Sequence, residues 1–154
     1  MNALLPGYAE LHCLSNFSFL RGASHPEELV QQAHAQGYAA LALTDECSMA
    51  GVVRAHLAAK EVGLKLIVGT EVSLAAGPKL VLLAQNRDGY GRLCTLITRA
   101  RRRAAKGRYE LKMADLEAGL PDCLALLIPC NDVSDNAAAR WLAHCFPDRP
   151  WIAA

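Results

Sequence analysis

Apolar runs of strand length alternate along this chain with stretches of helical period, and several runs end in polar, ligand-type residues. Tyr8–Cys13 reads as a first strand, Ala39–Thr44 as a second and Lys65–Val68 as a third. Ser24-His25-Pro26-Glu27 predicts a helix start. Ser24 caps it, Glu27 completes a capping box, and Pro26 suits the first turn. Leu29, Val30, Ala33 and His34 form the predicted inner stripe, and Gly37 ends the helix. Ser48 is the predicted cap of a second helix reaching about Val62. Its apolar face is read as Val52, Val53, His56 and Leu57, with Gly63 as terminator.

The second half continues the alternation. Val72–Leu74 and Leu80–Ala84, joined across Ala-Ala-Gly-Pro, predict a hairpin or two successive strands. Asp88 opens a helix with Leu93, Leu96 and Ile97 on its apolar side. A turn at Gly107 leads to an extended piece at Tyr109–Leu111, then a short helix at Ala114–Ala118 closed by Gly119. Leu124–Ile128 is a buried strand, Ser134 caps a helix to Cys145, and Arg149–Ala153 begins a last strand. Strands apolar on both faces, alternating with helices, predict an α/β fold with a mostly parallel sheet. An open sheet and an incomplete barrel both fit.

The bulk composition narrows the class. At 154 residues, 53% hydrophobic and 20% charged, the chain suits one globular domain spanning 1–154. A net charge of +1 identifies no partner. No apolar run approaches the ~20 residues of a membrane span, and the start lacks the pattern of a signal peptide. Six cysteines without a Cys-x-x-Cys pair predict free thiols in a reducing cytosol, hence a cytoplasmic protein. A Walker loop and a dinucleotide-type glycine fingerprint are both lacking.

The candidate chemistry lies after the strands. His12 ends the first, Asp45 and Glu46 end the second, and Glu71 follows the third. Sites in α/β folds form at strand C-termini, and carboxylates there can hold Mg²⁺ or Mn²⁺. Asp45 can equally cap the following helix, with Glu46 favoured by its dipole. The residue two places after His12 points the same way from an extended strand, but it is Leu14, which cannot bind metal. His25, His34, His56 and His144 fall in predicted helices as ordinary histidines. His12-Cys13 lacks the base-and-orienter partners of a nucleophile pair, so no catalytic residue is assigned.

The second signal is basic. Arg99, Arg101, Arg102, Arg103, Lys106 and Arg108 fall within ten residues without an acid among them. On a helix Arg99, Arg102, Arg103 and Lys106 share a face. That face can track phosphates, dock against another domain, or be a solvated helix end. It has no interleaved aromatics, which argues against base stacking on single strands.

These segments resemble a known family. Glu-Leu-His-Cys-Leu-Ser-Asn-Phe-Ser-Phe-Leu-Arg-Gly, Leu-Thr-Asp-Glu-Cys-Ser-Met-Ala-Gly-Val-Val-Arg and Gly-Thr-Glu-Val are similar to the polymerase-and-histidinol-phosphatase (PHP) domain. That domain opens bacterial C-family DNA polymerases. Val81–Leu93 resembles the polymerase branch, and Leu-Arg-Gly-Ala-Ser-His-Pro-Glu-Glu-Leu-Val is most similar to the error-prone paralogue of the DNA polymerase III alpha subunit. The resemblance covers essentially the whole chain. It implies the first two thirds of a distorted seven-stranded (β/α) barrel, as the N-terminal fragment of a longer polymerase.

The resemblance also implies a metal site with most ligands changed. His12, Glu71 and Cys130 match family ligand positions, while Leu14, Arg21, Glu46 and Lys79 stand where the family has His or acidic ligands. Asp45 lies beside that site. Arg21 and Lys79 are expected to repel a divalent ion and pair with Glu46 or Glu71 instead. The implied parent adds deoxynucleotides across damaged template, using Mg²⁺ and aspartates C-terminal to this chain. The segment itself is expected to be inactive, to bind no cofactor and to act as a scaffold. Its implied partners are the remaining polymerase domains, DNA and mutagenesis accessory proteins. The alternatives are a metal-dependent phosphoesterase or 3'–5' exonuclease, and a protein- or DNA-binding module. A barrel lacking its last strands leaves open edges, which favours dimerisation or swapping.

Overall fold

Six strands pair in chain order into one curled sheet, a half-barrel with helices packed on its outer side. The structure, a computed structural model, describes residues 7–130 and 134–153. Strands β1 (Ala9–Cys13), β2 (Ala40–Leu43) and β3 (Lys65–Ser73) run parallel, joined by helices α1 (Pro26–Ala35) and α2 (Val52–Val62). Strand β4 (Lys79–Ala84) is antiparallel to β3 and to β5 (Cys123–Ile128), with α3 (Arg87–Arg103) between β4 and β5. Helix α4 (Ser134–Cys145) then leads to β6 (Pro150–Ile152), parallel to β5.

Five of the six strands therefore share one direction, as a mostly parallel sheet requires, and β4 alone is reversed. The cause is local: β3 turns into β4 across Leu74–Pro78, too short for the crossover that a parallel neighbour needs. Of the two readings left open for this segment, the hairpin is the one found. Strand β3 also runs unbroken through Gly69-Thr70-Glu71, so Glu71 sits inside a strand rather than after one.

Side chains alternate across each strand. Leu41, Leu43, Leu80, Leu82, Ala125 and Leu127 face outward into two clusters under the helices. Ala42, Val81, Leu83 and Leu126 face inward with Ile67, Leu124 and Ile128. Between edge strands β1 and β6 the inner face opens as a cleft of about 880 Å³, where Trp151 and Ile152 are exposed.

Several helix expectations change. The N-cap of α1 is His25, whose N–H donates to the Glu28 carboxylate at 2.7 Å, one residue later than the predicted box. His34 is exposed; the buried stripe of α1 is Pro26, Val30 and Ala33. Helix α2 begins after Gly51 and buries Ala55, Ala58 and Ala59, leaving Val53, His56 and Leu57 exposed. The predicted face followed the larger apolar side chains, whereas close packing of α1 on α2 selects the alanines. Helix α3 begins at Arg87, and the Asn86 side chain accepts from the Gly89 N–H at 3.0 Å. Tyr109–Leu111 joins no strand, and the predicted helix at Ala114–Ala118 is one 3₁₀ turn, Met113–Asp115.

Candidate functional site

The sequence places its polar residues at the strand ends, and the backbone carries them past the last regular pairs. Beyond β2, Glu46 forms an isolated bridge with Glu71, and the Cys47 N–H donates to the Glu71 carbonyl at 2.8 Å. The Glu71 N–H in turn donates to the Thr44 carbonyl at 3.0 Å. These bonds hold the two glutamates side by side. The loop after β1 is fastened by Asp45, which is 2% exposed. Its carboxylate accepts from the Ser15 N–H at 2.8 Å and from the hydroxyls of Ser15 and Ser18 at 2.7 Å each. Asp45 therefore does not cap α2; that helix starts at Val52, and the carboxylate is turned to the loop. Gly22 closes the loop because a Cβ there would lie 2.0 Å from the Ser15 carbonyl oxygen. The loop so fixed delivers Arg21 to the strand ends.

There Glu71 is the hub. Its side chain is 0% exposed. Arg21 Nη1 bonds Oε1, Arg21 Nη2 lies 3.1 Å from Oε2, His12 Nε2 lies 2.7 Å from Oε2, and Lys79 Nζ lies 3.6 Å from Oε1. Burial would raise the pKa of this carboxyl, but His12, Arg21 and Lys79 together hold it down at about 2. An ionised carboxylate only accepts, so His12 Nε2 carries the proton of their bond. Arg21 Nη1 also donates to Glu46 Oε2 at 3.0 Å, and one guanidinium thus spans both glutamates. Its own pKa is raised, first by the bond to Glu71.

Two further residues support Glu46, and neither was assigned a role from the sequence. The Tyr109 hydroxyl donates to Glu46 Oε1 at 2.9 Å and accepts from the Ser73 N–H at 3.0 Å. Burial leads in pushing its pKa up to about 12, with the Glu46 carboxylate adding to the rise. Arg101 donates to the carbonyls of Glu46 and Cys47 and lies over the Tyr109 ring, 5.4 Å from its centroid. Helical spacing carried the missed signal. Cys94, Ile97 and Arg101 form one half-buried row, so Arg101 points inward while its basic neighbours do not.

The sequence-derived metal positions therefore come together only in part. His12, Arg21, Glu46, Glu71 and Lys79 form one cluster. Leu14 is half-buried next to the Asp45-bound loop. Cys130 is exposed beyond β5 and lines a separate cleft with Pro78 and Ala138. Among the described residues, no three His, Cys, Asp or Glu side chains stand together as a metal would need. The donor set does not fit a divalent ion: both Glu71 oxygens are engaged, and a guanidinium fills the space between the two carboxylates.

The basic run lies elsewhere. Arg99, Arg102 and Arg103 are exposed on α3, and Lys106 is exposed in the turn after it. Arg103 pairs with Asp115.

Comparison with known proteins assigns the fold. The PHP domain family matches residues 10–132. The chain belongs to the PHP family. This PHP domain is 66% identical to an error-prone DNA polymerase of Dechloromonas aromatica, over 97% of this chain and 15% of that protein. It is 58% identical to one from Bordetella parapertussis, over 99% of this chain and 16% of that protein. The PHP domain thus spans under a fifth of the length of these relatives. Among solved structures, it matches a provisionally assigned metal-dependent phosphoesterase of Bifidobacterium adolescentis with a TM-score of 0.65. That match has 15% identity and covers 90% of this chain and 74% of the other. An amidohydrolase of Chromobacterium violaceum aligns with a TM-score of 0.63 and 18% identity, over 87% and 72%.

Proposed function

We propose that this chain is the PHP domain of an error-prone DNA polymerase, and that within it the domain is a scaffold rather than a hydrolase. High identity to polymerases of that name supports the first part. One observation carries the second: Arg21 bridges Glu46 and buried Glu71 where a metal-dependent site would need those carboxylates free. A unit positive charge about 4 Å from a divalent ion costs several kcal/mol at an effective dielectric of about 20. The cluster fastens the loop after β1 to β3 and β4, which gives the strand ends a fixed form without a metal. Nucleotidyl transfer belongs to the rest of the parent, with Mg²⁺ held outside this chain.

The rival reading, phosphodiester hydrolysis, draws support from the name of one structural neighbour. Elemental analysis separates the two. Full-length polymerase is purified without chelator beside a variant carrying Leu14→His, Arg21→Asp, Glu46→His and Lys79→His. Primer extension is expected in the native protein. Zn, Mn or Fe attributable to this domain is expected only in the fourfold variant. About one such ion per native chain, lost together with nuclease activity in His12→Ala, would overturn the scaffold reading.

A further inference from the structure

Charge in this domain is strongly segregated. Residues 87–108 hold eight Arg or Lys against the single acid Asp88, so the rest of the chain is net −6 within a total of +1. Most of that positive charge is carried by α3. The helix buries Gly89, Leu93, Leu96 and Ala100 against the sheet, and the opposite side faces solvent. Along that side, Gly91, Thr95, Thr98 and Arg102 form one row at helical spacing. Arg92, Arg99 and Arg103 flank it. Arg92 and Arg103 pair with Asp122 and Asp115, whereas Arg99, Arg102 and Lys106 have no carboxylate within ion-pair distance among the described residues.

The floor of this stripe is unusually low. Gly91 lies inside a helix, where glycine is unfavourable, and a Cβ added there would meet nothing within 4 Å. Among the described residues, no contact accounts for a glycine at that position. The hydroxyls of Thr95 and Thr98 are turned back onto the carbonyls of Gly91 and Cys94 at 2.9 and 2.8 Å, so the row stays flat. Two shallow clefts of about 630 and 770 Å³ meet over Thr95 and Arg99. From Gly91 to Arg103 the stripe is about 18 Å long, at about 1.5 Å per residue.

We infer that this face of α3 receives the sugar–phosphate backbone of duplex DNA, the small residues letting the strand approach, Arg99 and Arg102 engaging its phosphates and Lys106 adding charge from the turn beyond the helix. The inference rests on the polymerase reading for the presence of DNA, but its chemistry is its own. A regular polyanion suits a row of unpaired cations, and phosphate contacts position a duplex without reading its sequence. Exposed Tyr90, at the N-terminal end of the stripe, is the one aromatic near the row, and a single ring favours a duplex over a run of stacked bases.

The test uses the full-length polymerase and a fluorescent primer–template duplex. A photo-crosslinker at Arg102 (Arg102→p-benzoylphenylalanine) is expected to yield a DNA adduct, and one at exposed Lys60 on α2 is not. The triple variant Arg99→Gln, Arg102→Gln, Lys106→Gln is expected to flatten the slope of log affinity against log salt by about 2–3. Gly91→Met is expected to weaken binding with the slope unchanged. Adducts only to polypeptide, or an unaltered slope in the triple variant, would overturn the inference and mark the face as a protein contact. Primer extension is scored in the same preparations. Extension without a DNA adduct removes this inference alone, while no extension removes the polymerase reading and leaves the adduct assay to decide this one.

Discussion

Two groups of charges in this domain behave oppositely. At the strand ends, Arg21, Lys79 and His12 converge on one buried carboxylate, and Tyr109 and Arg101 complete the surroundings of Glu46. On α3, the helix that also carries Arg101, the side chains of Arg99 and Arg102 point into solvent and Lys106 follows in the exposed turn. The first group consists of partners for one another and needs nothing from outside. The second is held up by a well-packed apolar face and leaves its charges available. Charge alone says little about a site; what matters is whether its complement lies inside the fold.

The comparison can be broken first at Arg21. Arg21→Ala leaves Glu71 buried with weaker partners, and an unpaired buried charge is expensive. A loss of about 3–4 kcal/mol is expected, read as a fall in Tm of roughly 6–16 °C. An unchanged melting curve would mean that the cluster does not hold the strand ends.

Acid probes the same hub. The Glu71 pKa is depressed in the fold to about 2 from its ordinary 4.5. Its contribution is therefore fully present above pH 4.5 and lost as pH falls toward 2. Linkage sets that contribution at about 3 kcal/mol. Urea midpoints measured from pH 6 to pH 2 should show the decline, and Glu71→Gln should flatten that part of it.

Lys79→Ala sharpens the ranking within the cluster. Lys79 lies 3.6 Å from Glu71 and is 37% exposed, so its removal should cost under about 1 kcal/mol in the same denaturation assay. A loss as large as that of Arg21→Ala would reverse the order of the two cations. The smallest effect belongs to α3: combined Arg99→Gln, Arg102→Gln and Lys106→Gln should shift stability by no more than about 0.5 kcal/mol. A large loss there would show that these charges also serve the fold.

Much of this was legible along the chain. The positions and order of the strands followed from apolar runs, except that Lys65–Val68 and Val72–Leu74, read as two strands, are one strand, β3; a hairpin was one of two readings of the segment after Glu71. The face of α2 was misread because Val53 and Leu57 are more apolar than the alanines that pack. The start of α1 was misplaced by one residue because both Ser24 and His25 precede a glutamate at capping distance. That Leu14, Arg21, Glu46 and Lys79 stand at ligand positions of the family is what the resemblance implies. The pairing of Arg21 with both glutamates was expected only in outline, and the parts of Tyr109 and Arg101 were not seen, because their partners lie more than 50 residues away in sequence.

The sequence by itself determined the alternation of strands and helices, the family and the identity of the residues at the strand ends, since these depend on local pattern and residue type. Tertiary structure alone decided that Asp45 serves a loop rather than a helix, that Arg101 turns inward while Arg102 does not, and that Glu71 loses all contact with water. Each of these depends on which groups meet across the curled sheet. Burial and opposite charge fix an ionisable side chain's role only once its neighbours are in place.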